Sequence, residues 1–165
     1  MAVKKSIYQF QIEGLDGEEI DFGQFKGKLL LIVNTASECG YTYQYGQLQE
    51  LYDMFKDKIN ILGVPSNDFG NQEPGKESEI QAFCEKNFQL SFPVTKKLKV
   101  LGEDRHPLYE FLCNGDLNGF QDSEMEWNFQ KFLFDEKGRL CGVYSPATEP
   151  NSPTILEVLT KEPKV

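Results

Sequence analysis

The chain reads as an α/β fold in which a central mixed sheet is flanked by helices and preceded by an N-terminal β-hairpin. Three observations predict it. Leu29 to Val33 is a short, uniformly apolar run, the pattern of a strand covered on both faces, and Ile59 to Val64 supplies a second buried strand. Between them Leu48, Leu51, Tyr52 and Phe55 recur at helical spacing, which makes a β-α-β unit. Further on, an alternating stretch and a hairpin partner add antiparallel strands.

At 165 residues, 39% hydrophobic and 26% charged, residues 1–165 have the size and composition of one globular domain. The net charge of -9 argues against nucleic acid and against an anionic membrane surface, both of which reward clustered Lys and Arg. Met1 to Phe10 contains no apolar stretch of signal-peptide length, and no run is long enough to span a bilayer. The expectation is a cytoplasmic chain with no stable membrane association. Cys39, Cys84, Cys113 and Cys141 are too sparse for a disulfide framework and lack Cys-x-x-Cys zinc spacing, so no metal or cofactor is expected and the thiols should rest reduced.

In chain order, Tyr8, Phe10 and Ile12 alternate with polar neighbours, Gly14-Leu15-Asp16-Gly17 turns, and Ile20 and Phe22 follow, which predicts the short hairpin. The first central strand runs into a turn from Asn34 to Gly40, and the helix after it should start between Gly40 and Gln44, with Thr42 as its cap. A right-handed crossover makes the two central strands parallel, which places the Cys39 turn and the Pro65 to Gly75 loop at one carboxyl edge. Ile80, Phe83, Cys84 and Phe88 share a stripe of a helix from about Lys76 to Asn87. Phe92 to Thr95 reads as a short strand. His106-Pro107 starts a helix through Leu112, closed by Cys113. Asn114 to Glu126 is a polar loop leading into an alternating strand, Met125 to Phe134. Glu136-Lys137-Gly138 turns it into Leu140 to Tyr144, where Cys141 reads as a packed strand residue. A last helix starts at Ser152 with Pro153 in its first turn. This order is a thioredoxin-like arrangement, with Cys39 where the attacking cysteine of a Cys-x-x-Cys motif stands and Thr42 in place of the second.

Cys39 has two readings on position alone: a small buried hydrophobe, or a nucleophile near a helix N-terminus, where unpaired amides and the dipole favour a thiolate. Activation by pKa is worth tens-fold at most, because a free thiol near 8.5 is already about a few per cent thiolate at neutral pH. A fast reaction also needs donors aimed at the charge developing on sulfur and leaving group. Cys84, on an apolar stripe, reads as a core filler, and Trp127 read alone is a core aromatic.

Three stretches carry a resemblance. Asn34-Thr35-Ala36-Ser37-Glu38-Cys39-Gly40-Tyr41-Thr42, Asn67-Asp68-Phe69-Gly70-Asn71-Gln72-Glu73-Pro74-Gly75 and Trp127-Asn128-Phe129-Gln130-Lys131-Phe132 look like the signatures of the glutathione peroxidase family, in the right order and over nearly the whole chain. The resemblance implies a thiol peroxidase in which Cys39 takes the place of the selenocysteine or peroxidatic cysteine, with Gln72, Trp127 and Asn128 completing the family's active-site tetrad. Indole N–H and side-chain amides are neutral donors that hold a thiolate and steer a hydroperoxide without forming strong ion pairs. Attack on a peroxide oxygen gives a Cys39 sulfenic acid and releases water or an alcohol. His106, the single histidine, lies outside these motifs, so a Cys-His pair is not suggested.

Two departures matter. Many relatives carry a cysteine after the proline that ends the second central strand, and here that residue is Ser66. Cys84, in contrast, resembles the resolving cysteine of the thioredoxin-dependent, non-selenium branch, which implies a Cys39–Cys84 disulfide. Bridging needs Cα atoms within about 7 Å, so local unwinding of the Lys76 to Asn87 helix is expected. A thioredoxin-type dithiol protein is favoured as reductant over glutathione, an anion that would meet Glu38, Asp68 and Glu73. The short loop before Trp127 resembles that of monomeric members with an open site, admitting hydrogen peroxide and organic or lipid hydroperoxides. Two alternatives remain open: a peroxide sensor that passes Cys39 oxidation to a partner protein, and an inactive scaffold.

Overall fold

The structure, a computed structural model, describes residues 6–161. Strands β1 (Gln11–Glu13) and β2 (Glu19–Asp21) form the N-terminal antiparallel hairpin, with Ile12 opposite Ile20. Strand β3 (Leu29–Thr35) is buried along its whole length. Because successive strand residues face opposite ways, β3 feeds two cores. Leu30 and Ile32 pack with Phe22, Leu108, Phe132 and Phe134 on one side, and Leu31 and Val33 with Leu48, Leu51, Ile80 and Ile155 on the other.

Helix α1 (Gln44–Phe55) buries Tyr45, Leu48 and Leu51 on that second side, and strand β4 (Ile59–Pro65) returns parallel to β3 with Ile61 opposite Leu31. Helix α2 (Glu77–Phe88) follows, opened by Glu79, whose carboxylate accepts from the Lys76 N–H at 3.3 Å, and closed by Gln89 at φ 51°. Helix α3 (Pro107–Cys113) begins with proline at its first position, as expected, and is capped by the His106 imidazole accepting from Leu108 N–H at 3.0 Å. After the short helix α4 (Gly115–Asn118) come antiparallel strands β5 (Lys131–Phe134) and β6 (Leu140–Tyr144), then helix α5 (Pro153–Thr160). The sheet order is β4-β3-β5-β6, mixed, with helices on both faces: a thioredoxin-like fold. Among the described residues no helix is long and apolar enough to cross a membrane.

Several expectations need correction. Phe92 to Thr95 is not a strand but two isolated bridges, Val94 to Gly63 and Thr95 to Gly14, since Pro93 has no N–H to continue a ladder. The strand expected from Met125 starts only at Lys131. Ahead of it Phe129 takes φ 68°, so Trp127 and Asn128 lie in a turn. The polar loop after Asn114 contains α4, because the Asn114 side chain caps it and Gly119 ends it at φ 77°. Thr42 does not cap α1. Cys141 is exposed on β6 rather than packed.

Candidate active site

The strand that carries the apolar run also aims the first motif. β3 ends at Thr35, Ala36 is buried, and the chain turns through Ser37 to Thr42 before α1 begins. Thr42 closes this turn from inside: its hydroxyl accepts from Cys39 N–H at 2.9 Å and donates to the Ala36 carbonyl at 2.8 Å. The thiol of Cys39 is half-buried, and its Sγ accepts the Tyr41 N–H at 3.3 Å. Cys39 thus lies one turn ahead of α1, and the donor on its sulfur belongs to that turn rather than to the helix.

The second motif is the loop after β4, at the same sheet edge, as parallel pairing requires. The Gln72 carbonyl accepts from Glu38 N–H at 3.0 Å, which ties this loop to the residue before Cys39. Gly70 takes φ 68°, and a Cβ there would come within 3.1 Å of Trp127 Cη2, so glycine lets the loop lie against the indole. Phe69 adds a ring contact with Trp127, centroids 5.4 Å apart.

The third motif is held by β3 itself. Asn34 uses its side chain twice, Nδ2 donating to the Trp127 carbonyl at 3.1 Å and Oδ1 accepting from Gln130 N–H at 3.1 Å, while its carbonyl accepts from Phe129 N–H at 2.6 Å. Asn128 is fully buried, and its Nδ2 donates to Gln72 Oε1 at 3.0 Å. That bond directs the Gln72 amide, leaving Nε2 as its free donor. Among the described residues neither Gln72 Nε2 nor the Trp127 indole N–H donates to a protein acceptor. The loops bearing Cys39, Gln72, Trp127 and Asn128 therefore share one rim, linked by Glu38 to Gln72, Gln72 to Asn128, and Gly70 to Trp127.

Cys84 is elsewhere. It is 3% exposed on α2, in the same apolar cluster that Cys39 packs against, and α2 is intact with all four cysteines free. Burial pushes its thiol up to about 11, with the charges of Glu73 and Glu85 adding to the effect. Ser66, where relatives can carry cysteine, is fully buried and accepts from Asp68 N–H at 3.3 Å. His106 caps α3 as described, with no bond to the three motifs.

Two further residues of the motifs had no expected place in the chemistry, and Glu73 was expected only as an acid facing glutathione. Glu73 is 2% exposed, and its carboxylate accepts from the Ser37 hydroxyl at 3.0 Å. Lys131 is fully buried, with Nζ donating to Gln44 Oε1 at 2.6 Å and to the Pro146 carbonyl at 3.0 Å. Burial lowers the Lys131 ammonium to about 7, the Glu149 charge acting against it. It pins the first residue of α1, and so the far end of the Cys39 turn, to β5. The one sequence signal for Lys131 is a lysine inside an apolar strand; Glu73 has none, since carboxylates belong by default at the surface.

The loop charges are more balanced than the sequence suggests. Asp68 meets Lys99 at 3.5 Å and also accepts the Val100 and Leu101 N–H groups, and the Lys97 ammonium donates to the Glu73 carbonyl at 3.2 Å. Exposed Glu38 is left as the acid that a glutathione anion would meet.

Comparison with known proteins shows the family. Residues 7–113 match the family model described as glutathione peroxidase. The glutathione peroxidase homolog BsaA of Halalkalibacterium halodurans is 47% identical over 146 residues, 88% of this chain and 92% of that protein. The glutathione peroxidase-like peroxiredoxin HYR1 of Saccharomyces cerevisiae is 44% identical over 148 residues, 88% of this chain and 91% of its own. The crystal structure of Trgpx in apo form superposes with a TM-score of 0.72 at 34% identity, covering 94% of this chain and 96% of that one. The chain belongs to the glutathione peroxidase family, and it is a peroxidase, an oxidoreductase that takes a peroxide as electron acceptor.

Proposed function

We propose that this peroxidase works by two cysteines. Cys39 attacks the hydroperoxide, hydrogen peroxide or an organic or lipid hydroperoxide, and becomes a sulfenic acid while water or an alcohol departs. The indole N–H of Trp127 and Nε2 of Gln72 steady the charge on sulfur and leaving oxygen, and Asn128 aims Gln72. Cys84 then displaces the hydroxyl to give a Cys39–Cys84 disulfide, which a thioredoxin-type dithiol protein reduces. The observation that carries this reading is the linkage of the three loops at one rim, with donors of Gln72 and Trp127 unused by the protein. The dithiol reductant is supported by the Cys84 partner thiol on the cluster behind Cys39, and by the likeness to a protein named a peroxiredoxin. We read the chain as acting as a monomer.

The test is NADPH consumption through thioredoxin reductase and thioredoxin with hydrogen peroxide, repeated with glutathione. Wild type should turn over with thioredoxin, and Cys39→Ser and Cys84→Ser should each lose that turnover. Full turnover by Cys84→Ser returns Cys84 to the core. Failure of wild type to turn over with either donor favours the peroxide sensor.

A further inference from the structure

The resolving step poses a proton problem that the residues named so far leave open. In the intact helix a thiol held at about 11 is roughly one part in ten thousand thiolate at pH 7, so a base that takes its proton as the helix yields would speed the attack. No histidine serves, because His106 caps α3. The buried carboxylate of Glu73 is the titratable group bonded directly to the Cys39 turn.

Its placement is specific. Glu73 follows Gln72 in the second motif, and its carboxylate accepts from the hydroxyl of Ser37, two residues before Cys39, at 3.0 Å. Its own N–H is fixed by Asn67 Oδ1 at 2.9 Å, and its carbonyl accepts from Lys97. Glu73 lines a cavity of about 400 Å³ whose other walls include Ser37 and Glu38 from the Cys39 turn and Ile80 and Phe83 from α2. Cys84 is one helical turn beyond Ile80 on the same buried stripe, and the Glu73 charge already acts on both the Cys84 thiol and the Tyr45 hydroxyl. Cys84 itself lies beside Phe83, outside this lining, so Glu73 stands between the Cys39 turn and the face of α2 next to the Cys84 position.

We propose that the Glu73 carboxylate is the proton acceptor of the resolving step, taking the proton from the Cys84 thiol and passing it to the hydroxide that leaves Cys39. The balance is closed. The sulfenic S–O bond breaks and an S–S bond forms; the Cys39 sulfur is reduced and the Cys84 sulfur oxidised by the same electron pair; the thiol proton leaves with hydroxide as water. No other reagent is consumed. Burial raises the Glu73 carboxyl, which brings its basicity closer to the working pH, while Ser37 and the Lys97 charge keep it from rising further. The charged and titratable groups around it are Glu38 on the Cys39 turn, Lys97 on the segment after β4 and α2, Glu79 and Cys84 on α2, and Tyr45 on α1.

This inference rests on the two-cysteine reading, and the experiment separates the two. Peptide mapping of peroxide-treated wild type should find the Cys39–Cys84 disulfide; its absence overturns the resolving role and the relay with it. With the disulfide present, stopped-flow fluorescence of Trp127, the single tryptophan, should resolve sulfenic acid formation from disulfide formation. The second phase in wild type should lose rate on the acid side as a raised carboxyl protonates, and wild type without that limb overturns the relay before any variant is made. In Glu73→Gln, which keeps an acceptor for Ser37, the second phase should slow about a hundredfold relative to the first and lose the acid limb. Glu73→Asp should restore the limb. Equal slowing of both phases, or an acid limb that persists in Glu73→Gln, assigns Glu73 to loop structure alone.

Discussion

Gln72 accepts from Asn128 through Oε1, and that direction makes its other amide atom a donor toward the rim. Gln72→Ala and Trp127→Phe each remove one donor; by the usual cost of such a loss, peroxide turnover should fall about a hundredfold, read as kcat/KM in the coupled assay. Asn128→Ala should lower turnover through Gln72, and it leaves Gln72 Oε1 without its partner. Lys131 gives a pH signature. Its folded value, about 7, lies below the ordinary lysine value, so between these pH values the unfolded chain binds more protons than the folded one. Stability contributed here must then rise from about pH 7 toward about pH 10, by up to a few kcal/mol. Thermal unfolding across that range should climb more steeply in wild type than in Lys131→Met, and taking the difference cancels the opposite trend from buried Cys84 and Cys113, whose thiols are raised to about 11. Neither Lys131 nor Glu73 was legible as a buried residue, because type alone assigns charges to solvent and only partners drawn from distant segments, Gln44, Pro146 and Ser37, reverse it.

Helix α2 holds Cys84 buried at 3% exposure, so the disulfide requires this element to yield. Hydrogen exchange of residues 77–88 should quicken when wild type is treated with peroxide and should not quicken in Cys84→Ser. An oxidised crystal form with α2 intact and Cys84 still free contradicts the resolving role. At this scale β3, α1 and β4 were legible, since apolar runs around a helical period have few other solutions. The Trp127 turn was not. Its residues alternate as a strand does, yet Phe129 at φ 68° and three bonds to Asn34 bend it away from the ladder until Lys131. The shared edge of the Cys39 and Gln72 loops, in contrast, was legible, because parallel pairing of β3 and β4 sets both there whatever the local geometry.

Across the whole molecule, β3 is common to both cores, and its loss cannot be confined to one face. Leu31→Ala, at a fully buried position between β4 and β5, should cost about 2–5 kcal/mol in denaturant unfolding. The same strand supplies Asn34, which fastens the Trp127 turn five residues upstream of Cys39. Assembly of the proposed site is consequently tied to formation of the sheet. The Trp127 turn is held by residues more than ninety positions away in sequence, so it takes its place only when those distant segments meet. Peroxidase activity lost on heating should therefore track the collapse of the sheet, read by far-UV circular dichroism on the same sample.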